Sequence, residues 1–434
     1  MTELIKPSVP HPVGSNNETS ELFLGRLRCP VCRGSLVLHT REAGVKGVRE
    51  GSLSCSPCAR SYPIADGLPN LLVEWVLPKV EDPHPFSYSL LSLAHLEKQA
   101  GKVGADRLAL SEPIDPRGFF HRKLQTPLTL FRGLLWLLAI VALFVEGGGT
   151  LLLIVGGLFW LDYMVMAFSL RRQHKHELAQ LIAFARKGVL HEKDITATIP
   201  DAAEPDFHGG VENRTQEIET ILAGCDLKGK EVLHVGCGGE NESDINTVYL
   251  DRGAHLTGLD VFAPGLRTFK KRFNSEGVLA EALRIPFGND QFDFSNCTDI
   301  IEHVHDPLRF LEENLRILRP GGGLLLITPN RCRARRGLGF LNPLFFLKGF
   351  LGHAFSRFLP PRELMCRHRD FTFFHTAFSQ KELTEMLTSV GFVLEWAGIK
   401  AYRGPGKQFR KKLERIPLFH TLNDSLFVLA RKPQ

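Results

Sequence analysis

Residues 231–241 read EVLHVGCGGEN, a buried strand running into a glycine turn. Val232, Leu233 and Val235 give the near-continuous apolar run of a strand covered on both faces, the pattern of a parallel sheet. Gly236 and Gly238 follow, forming a turn in which backbone can approach a ligand without interference from a Cβ. Two letters depart from a nucleotide-binding glycine loop. His234 stands in the strand where an acid is expected, and Glu240 stands where a third glycine is expected. The first substitution bears on how rigidly the loop is held. The second brings an acid to the start of the following helix, which suits the helix dipole but repels an anionic ligand group unless it turns away.

Outward from this stretch the pattern alternates. HLTGLDVF (255–262), FDFSNCTD (292–299) and GGGLLLITPN (321–330) read as strands, while DPLRFLEENLRILRP (306–320) carries apolar residues at helical spacing. FSQKELTEMLTSVGFVLEWAGI (378–399) reads as a helix and a strand, and DSLFVLARK (424–432) supplies a last strand. The expected architecture from residue 206 onward is α/β, a doubly wound sheet, with ligands bound beyond the carboxyl ends of its strands. Asp260 ends the second strand 24 residues after Gly236, about where an acid meets a ribose hydroxyl pair.

These features, together with AEALRIPFGNDQFDFSNCTDIIEHVHDPLRFLEENLRILRPGGGLLLITPN (280–330), resemble the class I S-adenosylmethionine (SAM)-dependent methyltransferases. The likeness is to the broad subgroup with a PF-x-x-x-x-FD run, an EHV-x-DP motif and an LRPGG turn, here Pro286–Asp293, Glu302–Pro307 and Leu318–Gly322. It implies that the loop of Gly236, Cys237 and Gly238 wraps the methionine part of SAM and that Asp260 bonds the ribose. It implies that Glu281 and Ala282 border the adenine, with Glu281 where family members usually carry Asp, and that Thr298 and Asp299 line the side nearest the sulfonium. It also implies an antiparallel last strand. Methyl transfer is in-line displacement at an activated sulfonium, so the protein mainly positions the nucleophile and excludes water. A hydroxyl nucleophile also needs its proton removed, and Glu302, His303 and His305 stand where the acceptor belongs. His303 and Glu302 are the candidate catalytic pair; a structural histidine capping the next helix is the alternative for His303. Asp299-Ile-Ile-Glu302-His303 further resembles the acid-x-x-Glu-His cluster of ubiquinone-pathway O-methyltransferases, implying a divalent metal at Asp299, Glu302 and His303, although the first acid here is the shorter Asp.

Nearer the N-terminus, Cys29 and Cys32 flank a Pro-Val turn, and Cys55 and Cys58 a Ser-Pro turn. Two such knuckles aim four thiolates at one point and complete a closed tetrahedral zinc site, structural rather than catalytic. The intervening residues fit a β-hairpin. Nine cysteines, four of them in two close pairs, favour metal binding in a reducing compartment over a disulfide framework. With Tyr62–Leu72 the segment resembles the zinc-ribbon family that includes the small activator of tRNA methyltransferases. Arg26, Arg28, Arg33, Arg41, Lys46, Arg49 and Arg60 make it locally basic, either a solvated face or a nucleic-acid contact.

Composition changes abruptly at PLTLFRGLLWLLAIVALFV (127–145) and TLLLIVGGLFWLDYMVMAFSL (150–170). Each run is near the length needed to cross a bilayer as a helix, and almost no polar face is left for a soluble core. Arg117, Arg122 and Lys123 precede the pair, with Arg132 one turn inside its first run, and Arg171, Arg172 and Lys175 follow it, while the connecting EGGG has no Lys or Arg. By the positive-inside rule both termini and the catalytic domain face the cytoplasm. Asp162 lies within the second run and is expected to pair with Arg132 across the hairpin. After the fifth strand, NPLFFLKGFLGHAFSRFLPP (342–361) is a phenylalanine-rich segment with Lys348, His353 and Arg357, either an interfacial helix or a buried substrate cap. His368, Arg369 and His375 nearby could meet a polar head group.

The expected division is a flexible tail (1–20), a zinc ribbon (21–75), a linker (76–125), a two-helix transmembrane hairpin (126–170), a helical linker (171–205) and a methyltransferase domain (206–434). A charge of +6 is mild for 434 residues and by itself selects no partner class. The leading expectation is a membrane-anchored enzyme that uses SAM to methylate an oxygen of a lipid-linked or amphipathic small molecule, with the lipid bilayer as partner. One alternative is an RNA or protein methyltransferase gripping its target through the ribbon. It lacks an NPPY-like amino-methylation motif, Asp299-Ile-Ile-Glu302 standing there instead. Another is a non-catalytic SAM-fold scaffold whose ribbon binds a protein partner.

Overall fold

In the computed structural model, described residues are 17–76, 125–187, 189–191, 212–238, 243–304, 306–331, 341–344, 347, 351, 363–368, 371–400 and 425–434. Glu240, His305, Lys348, His353, Arg357 and Arg369 lie outside them, as do residues 1–16 and most of the expected linker.

The ribbon opens with helix α1 (Glu21–Arg26), capped by Ser20, whose hydroxyl accepts from the Phe23 N–H. Strands β1 (Val37–Ala43) and β2 (Val48–Cys55) form the hairpin expected between the knuckles, and β3 (Arg60–Ala65) and β4 (Leu68–Pro69) complete a four-stranded antiparallel sheet. Strand β5 (Glu74–Val76) then pairs with β6 (Val189–His191), antiparallel, with Val76 opposite Val189.

Between those two strands lies a helical hairpin of α2 (Gln125–Ala142) and α3 (Gly148–Lys187). Leu135, Val155 and Phe159 pack between the helices. Leu137, Phe144, Leu153, Trp160, Leu161 and Phe168 are exposed on its outside. Of the two expected spans, only Gly148–Ser169 forms a helix long and apolar enough to cross a membrane; Pro127–Ala142 is shorter. The first helix stops at Ala142 because the apolar run continues into a turn, where the Leu143 and Phe144 N–H groups bond back to Ile140 and Val141.

The catalytic part begins with helix α4 (Glu212–Ile221) and is built on seven strands. These are β7 (Glu231–Val235), β8 (His255–Asp260), β9 (Glu276–Leu279), β10 (Phe292–Thr298), β11 (Leu318–Pro329), β14 (Val393–Lys400) and β15 (Ser425–Arg431), in spatial order β14-β15-β11-β10-β7-β8-β9. Pairings among β7 to β11 are parallel, while β15 runs antiparallel to both neighbours, as the resemblance implied. Helices α5 (Ser243–Leu250), α6 (Ala263–Phe273), α7 (Pro307–Ile317) and α8 (Gln380–Val390) cover the sheet. The start of α7 is set by Asp306, whose carboxylate accepts from the Arg309 N–H, with Pro307 at the first position. Ser379 and Glu382 form a reciprocal capping box at α8. A two-stranded ribbon, β12 (Glu363–His368) and β13 (Phe371–Thr376), packs with one strand against α3 and the other against the 3-10 turn Ile301–His303.

The cysteine-bearing ribbon does not stand apart. Phe23, Leu24, Leu27, Tyr62, Ile64 and Leu71 share one buried cluster with Leu233, Val278, Phe287 and Phe292 of the catalytic part. The Leu71 N–H donates to Leu279 O at 2.7 Å, so the ribbon's tail continues the large sheet beyond its edge strand β9. Lys270 is buried and donates to Thr19 Oγ1 and Gly67 O, each at 2.6 Å. Arg26 pairs with Glu231 and Arg33 with Glu313, both at 2.6 Å. Two of the basic residues that made the ribbon a candidate nucleic-acid surface are thus spent on internal docking.

Candidate active site

Strand β7 delivers the glycine turn to the centre of the sheet. Gly236 has φ +84°, a left-handed conformation natural to glycine, and donates its N–H to Leu259 O at 2.8 Å. A Cβ on Gly238 would lie 2.8 Å from the Asp260 carboxyl carbon, because the Gly238 N–H donates to Asp260 Oδ2 at 2.7 Å. The other oxygen, Oδ1, accepts from Phe262 N–H at 2.8 Å. Burial pushes the Asp260 carboxyl up, and the N–H groups of Gly238, Phe262 and Val261 pull it down. Each carboxylate oxygen has a second lone pair with which to meet a ribose hydroxyl. His234 is fully buried beneath the loop, its Nδ1 2.6 Å from Asn246 Oδ1 of α5 and its ring edge-on to Phe269 of α6. It clasps the strand before the loop to the helix after it, a supporting role of the kind expected for the acid it replaces.

Beyond the strand ends lies an open cleft lined by Gly236, Leu259, Asp260, Val261, Ala280, Ala282, Ile300, His303 and Val304. Gly236, Asp260, Ala282 and His303 were all expected there. The other expected residues surround the cleft without lining it. Cys237 is buried, its sulfur filling the space above Gly258. Thr298 turns into the sheet and donates to Asn296 Oδ1 at 3.0 Å, leaving Ile300 to form that wall. Glu281 lies between two lining alanines with its carboxylate 4.0 Å from Arg284 Nε. Burial pushes its carboxyl up to about 7, against the opposing pull of Arg284.

At the acceptor end, Asp299 adopts φ +50°, unusual for a residue with a side chain, and receives an ion pair from the buried Arg214 of α4. Glu302 is buried behind the wall and accepts from Thr328 Oγ1 at 2.9 Å. Burial, and after it the neighbouring Asp299 charge, hold the Glu302 carboxyl well above its ordinary range. His303 remains partly exposed, with Nε2 4.0 Å from Glu302 Oε1. It does not cap the next helix, a task Asp306 performs. Among the described residues the only metal-type cluster is the four cysteines, so the divalent site expected at Asp299, Glu302 and His303 has no geometric support. Their carboxylates are engaged by Arg214 and Thr328 instead. Arg214 escaped sequence reasoning. It sits on a polar helix far upstream of Asp299, and neither motif nor periodicity singles it out.

The Sγ atoms of Cys29, Cys32, Cys55 and Cys58 lie within 4.8 Å of one another. Tetrahedral zinc–thiolate bonds of about 2.3 Å bring sulfurs to roughly this separation, so the donor set fits structural zinc. Burial raises the Cys29 thiol, but the Tyr62 hydroxyl at 3.3 Å and the backbone of Cys32 and Val31 more than offset this, bringing it to about 6. A metal-ready thiolate results.

Residues 233–326 match the family described as "Methyltransferase domain", and residues 21–67 match "Trm112p-like protein". The chain is 30% identical over 180 residues to a ubiquinone biosynthesis O-methyltransferase of Marinobacter nauticus, covering 37% of this chain and 68% of the relative. A protein of the same name from Pseudomonas putida is 32% identical over 152 residues, covering 33% and 64%. These matches therefore span about two thirds of the relatives' lengths. A solved 1,6-didemethyltoxoflavin-N1-methyltransferase of Burkholderia thailandensis is 15% identical, covering 52% of this chain and 79% of its own at a TM-score of 0.34, too distant to bear on the site. With glycine turn, strand-end acid and strand order in place around one cleft, the sequence kinship and the geometry agree: the chain belongs to the SAM-dependent methyltransferases.

Proposed function

We propose that this enzyme is anchored in a membrane and transfers the methyl group of SAM to an oxygen of a lipid-linked or amphipathic small molecule at the cytoplasmic face. The observation that carries the reading is the helical hairpin, whose exposed residues include Leu137, Phe144, Leu153, Trp160, Leu161 and Phe168. Apolar side chains in that number belong against lipid rather than water. The named O-methyltransferase relatives support oxygen as the acceptor atom. In this reading the loop of Gly236, Cys237 and Gly238 holds the methionine part of SAM, Asp260 holds the ribose, and Ala282 with Glu281 borders the adenine. His303, the titratable side chain lining the acceptor end, takes the hydroxyl proton. Glu302 supports it from behind and Arg214 fixes Asp299. The divalent metal has no part in it.

The ribbon's family likeness points to contact with protein, and its extensive contact here is with the catalytic part of the same chain. Incubating purified protein with methyl-labelled SAM and either lipid or aqueous extracts tests the function. Label is expected in the lipid fraction and absent with Gly238→Arg, which fills the space against Asp260. Label confined to the aqueous fraction sinks the proposal.

A further inference from the structure

The hairpin is bound to the catalytic part by a buried polar knot. Arg132 of α2, fully buried, donates from Nε to Asp162 Oδ2 at 2.7 Å and from Nη2 to Oδ1 at 2.9 Å. The third member comes from the catalytic chain. Asn342 Nδ2 donates to the same Asp162 Oδ2 at 2.6 Å and to Phe159 O at 3.1 Å. Next to it, Trp136 Nε1 of α2 donates to Leu341 O at 2.8 Å, and Leu341 is held at φ +65°. Leu341 and Asn342 follow β11, the strand whose Thr328 bonds Glu302 behind the acceptor end of the cleft. A second link runs parallel to the first: α3 packs on β12, β12 pairs with β13, and β13 packs on the turn that carries His303.

Two unpaired polar groups in an apolar hairpin would each cost several kcal/mol, so a carboxylate and a guanidinium there need full hydrogen bonding. The knot shows that this satisfaction is shared with the segment after β11. The hairpin is thus built into the acceptor side of the enzyme rather than hung from it by a linker.

We infer that the hairpin forms one wall of the acceptor's route. A molecule with an apolar tail would reach His303 by moving along the base of the hairpin, its tail in lipid, under the chain at Leu341–Leu344 and Leu347. Leu347 is exposed, as expected for a side chain that meets the tail. The inference rests on the membrane-anchored reading, and the following experiment separates their failures.

Full-length protein is mixed with phosphatidylglycerol vesicles containing a phospholipid with a photoactivatable diazirine in its acyl chain, floated on a density gradient, irradiated and mapped by mass spectrometry. Adducts are expected on α2 and α3 and also on the segment containing Leu341 and Leu347 and on β12–β13. Flotation with adducts on the hairpin alone overturns the route while leaving the anchor. Absence of flotation overturns the anchor and the route with it. In Asn342→Leu, flotation and hairpin adducts are expected to persist, adducts on the post-β11 segment to fall at least fivefold, and SAM affinity by calorimetry to stay within twofold. Unchanged adducts in that variant would show that the knot does not hold the segment to the hairpin and would overturn the proposed coupling.

Discussion

Glu281 is a residue whose chemistry is strongly displaced by its surroundings. Its folded carboxyl titrates near 7 against an ordinary 4.5, with burial as the main cause. The raised value means that between those two limits the folded protein binds more protons than the unfolded chain, so this group subtracts stability as pH rises from 4.5 to 7. The loss amounts to about 3 kcal/mol at most, from 1.36 kcal/mol per unit. Comparing chemical denaturation of wild type and Glu281→Gln at pH 5 and pH 8 checks this: the Gln variant is expected to gain relative stability at the higher pH. If Glu281 accepts from the adenine amino group, SAM affinity should also rise with pH through 7 in the wild type and be flatter in the variant. His234 and Asp260 show how far single letters were readable. The acid at the end of the second strand was legible because its position follows from strand periodicity and the glycine turn. The inward turn of Thr298 was not, because which face a strand-end residue shows depends on its neighbour Asn296.

At the scale of elements, a buried charge cluster ties helix to ribbon. Glu313 of α7 is buried and receives Arg316 and Arg309 from its own helix, Arg33 from the ribbon, and the Ile285 N–H at 3.0 Å. Burial would raise its carboxyl, but the guanidinium groups of Arg316 and Arg33 outweigh that and hold it below its ordinary value. This contribution is present at neutral pH and is lost as pH falls through the folded value. Glu313→Gln leaves three guanidinium groups short of their charge partner and should cost about 3 kcal/mol, the low end for breaking a buried pair because the arginines are partly solvated. Urea denaturation is the check. The sequence shows α7 clearly, through its Asp-Pro start and its apolar spacing. It gives no hint that Glu313 or Lys270 face inward, since a charge on an amphipathic helix normally marks the wet side and the ribbon partners Arg33, Thr19 and Gly67 lie hundreds of residues away. The basic letters of the ribbon were ambiguous for the same reason: Arg26 and Arg33 are complementary to a surface that only the folded catalytic part presents.

For the whole molecule, the shared core ties the four-cysteine site to the stability of the enzyme. Phe23, Leu27 and Leu71 belong to a small ribbon whose four-cysteine donor set fits zinc, and they cover Phe287, Phe292 and the edge at β9. Removing zinc with a chelator at neutral pH should therefore lower the melting temperature of the catalytic part as well as loosen the ribbon, and restored zinc should reverse both. Retention of an unchanged melting transition and unchanged SAM binding after verified zinc loss would contradict this. The two modules were legible from two cysteine pairs and one glycine turn, each a local signal. Their union was not, because edge pairing and interface packing leave no periodic trace.

The pairing of Val76 with Val189 has a consequence for how such a chain can arise and change. The polypeptide leaves the body and re-enters it at adjacent positions of one small ladder, so everything between is topologically a graft. A two-residue turn is all the geometry asks to close that ladder. Length and hydrophobicity of the excursion can therefore change without re-threading the sheet or the ribbon. The restraints on that freedom are the bonds of Trp136 and Asp162 to Leu341 and Asn342 and the packing of α3 on β12, where the graft has further points of attachment.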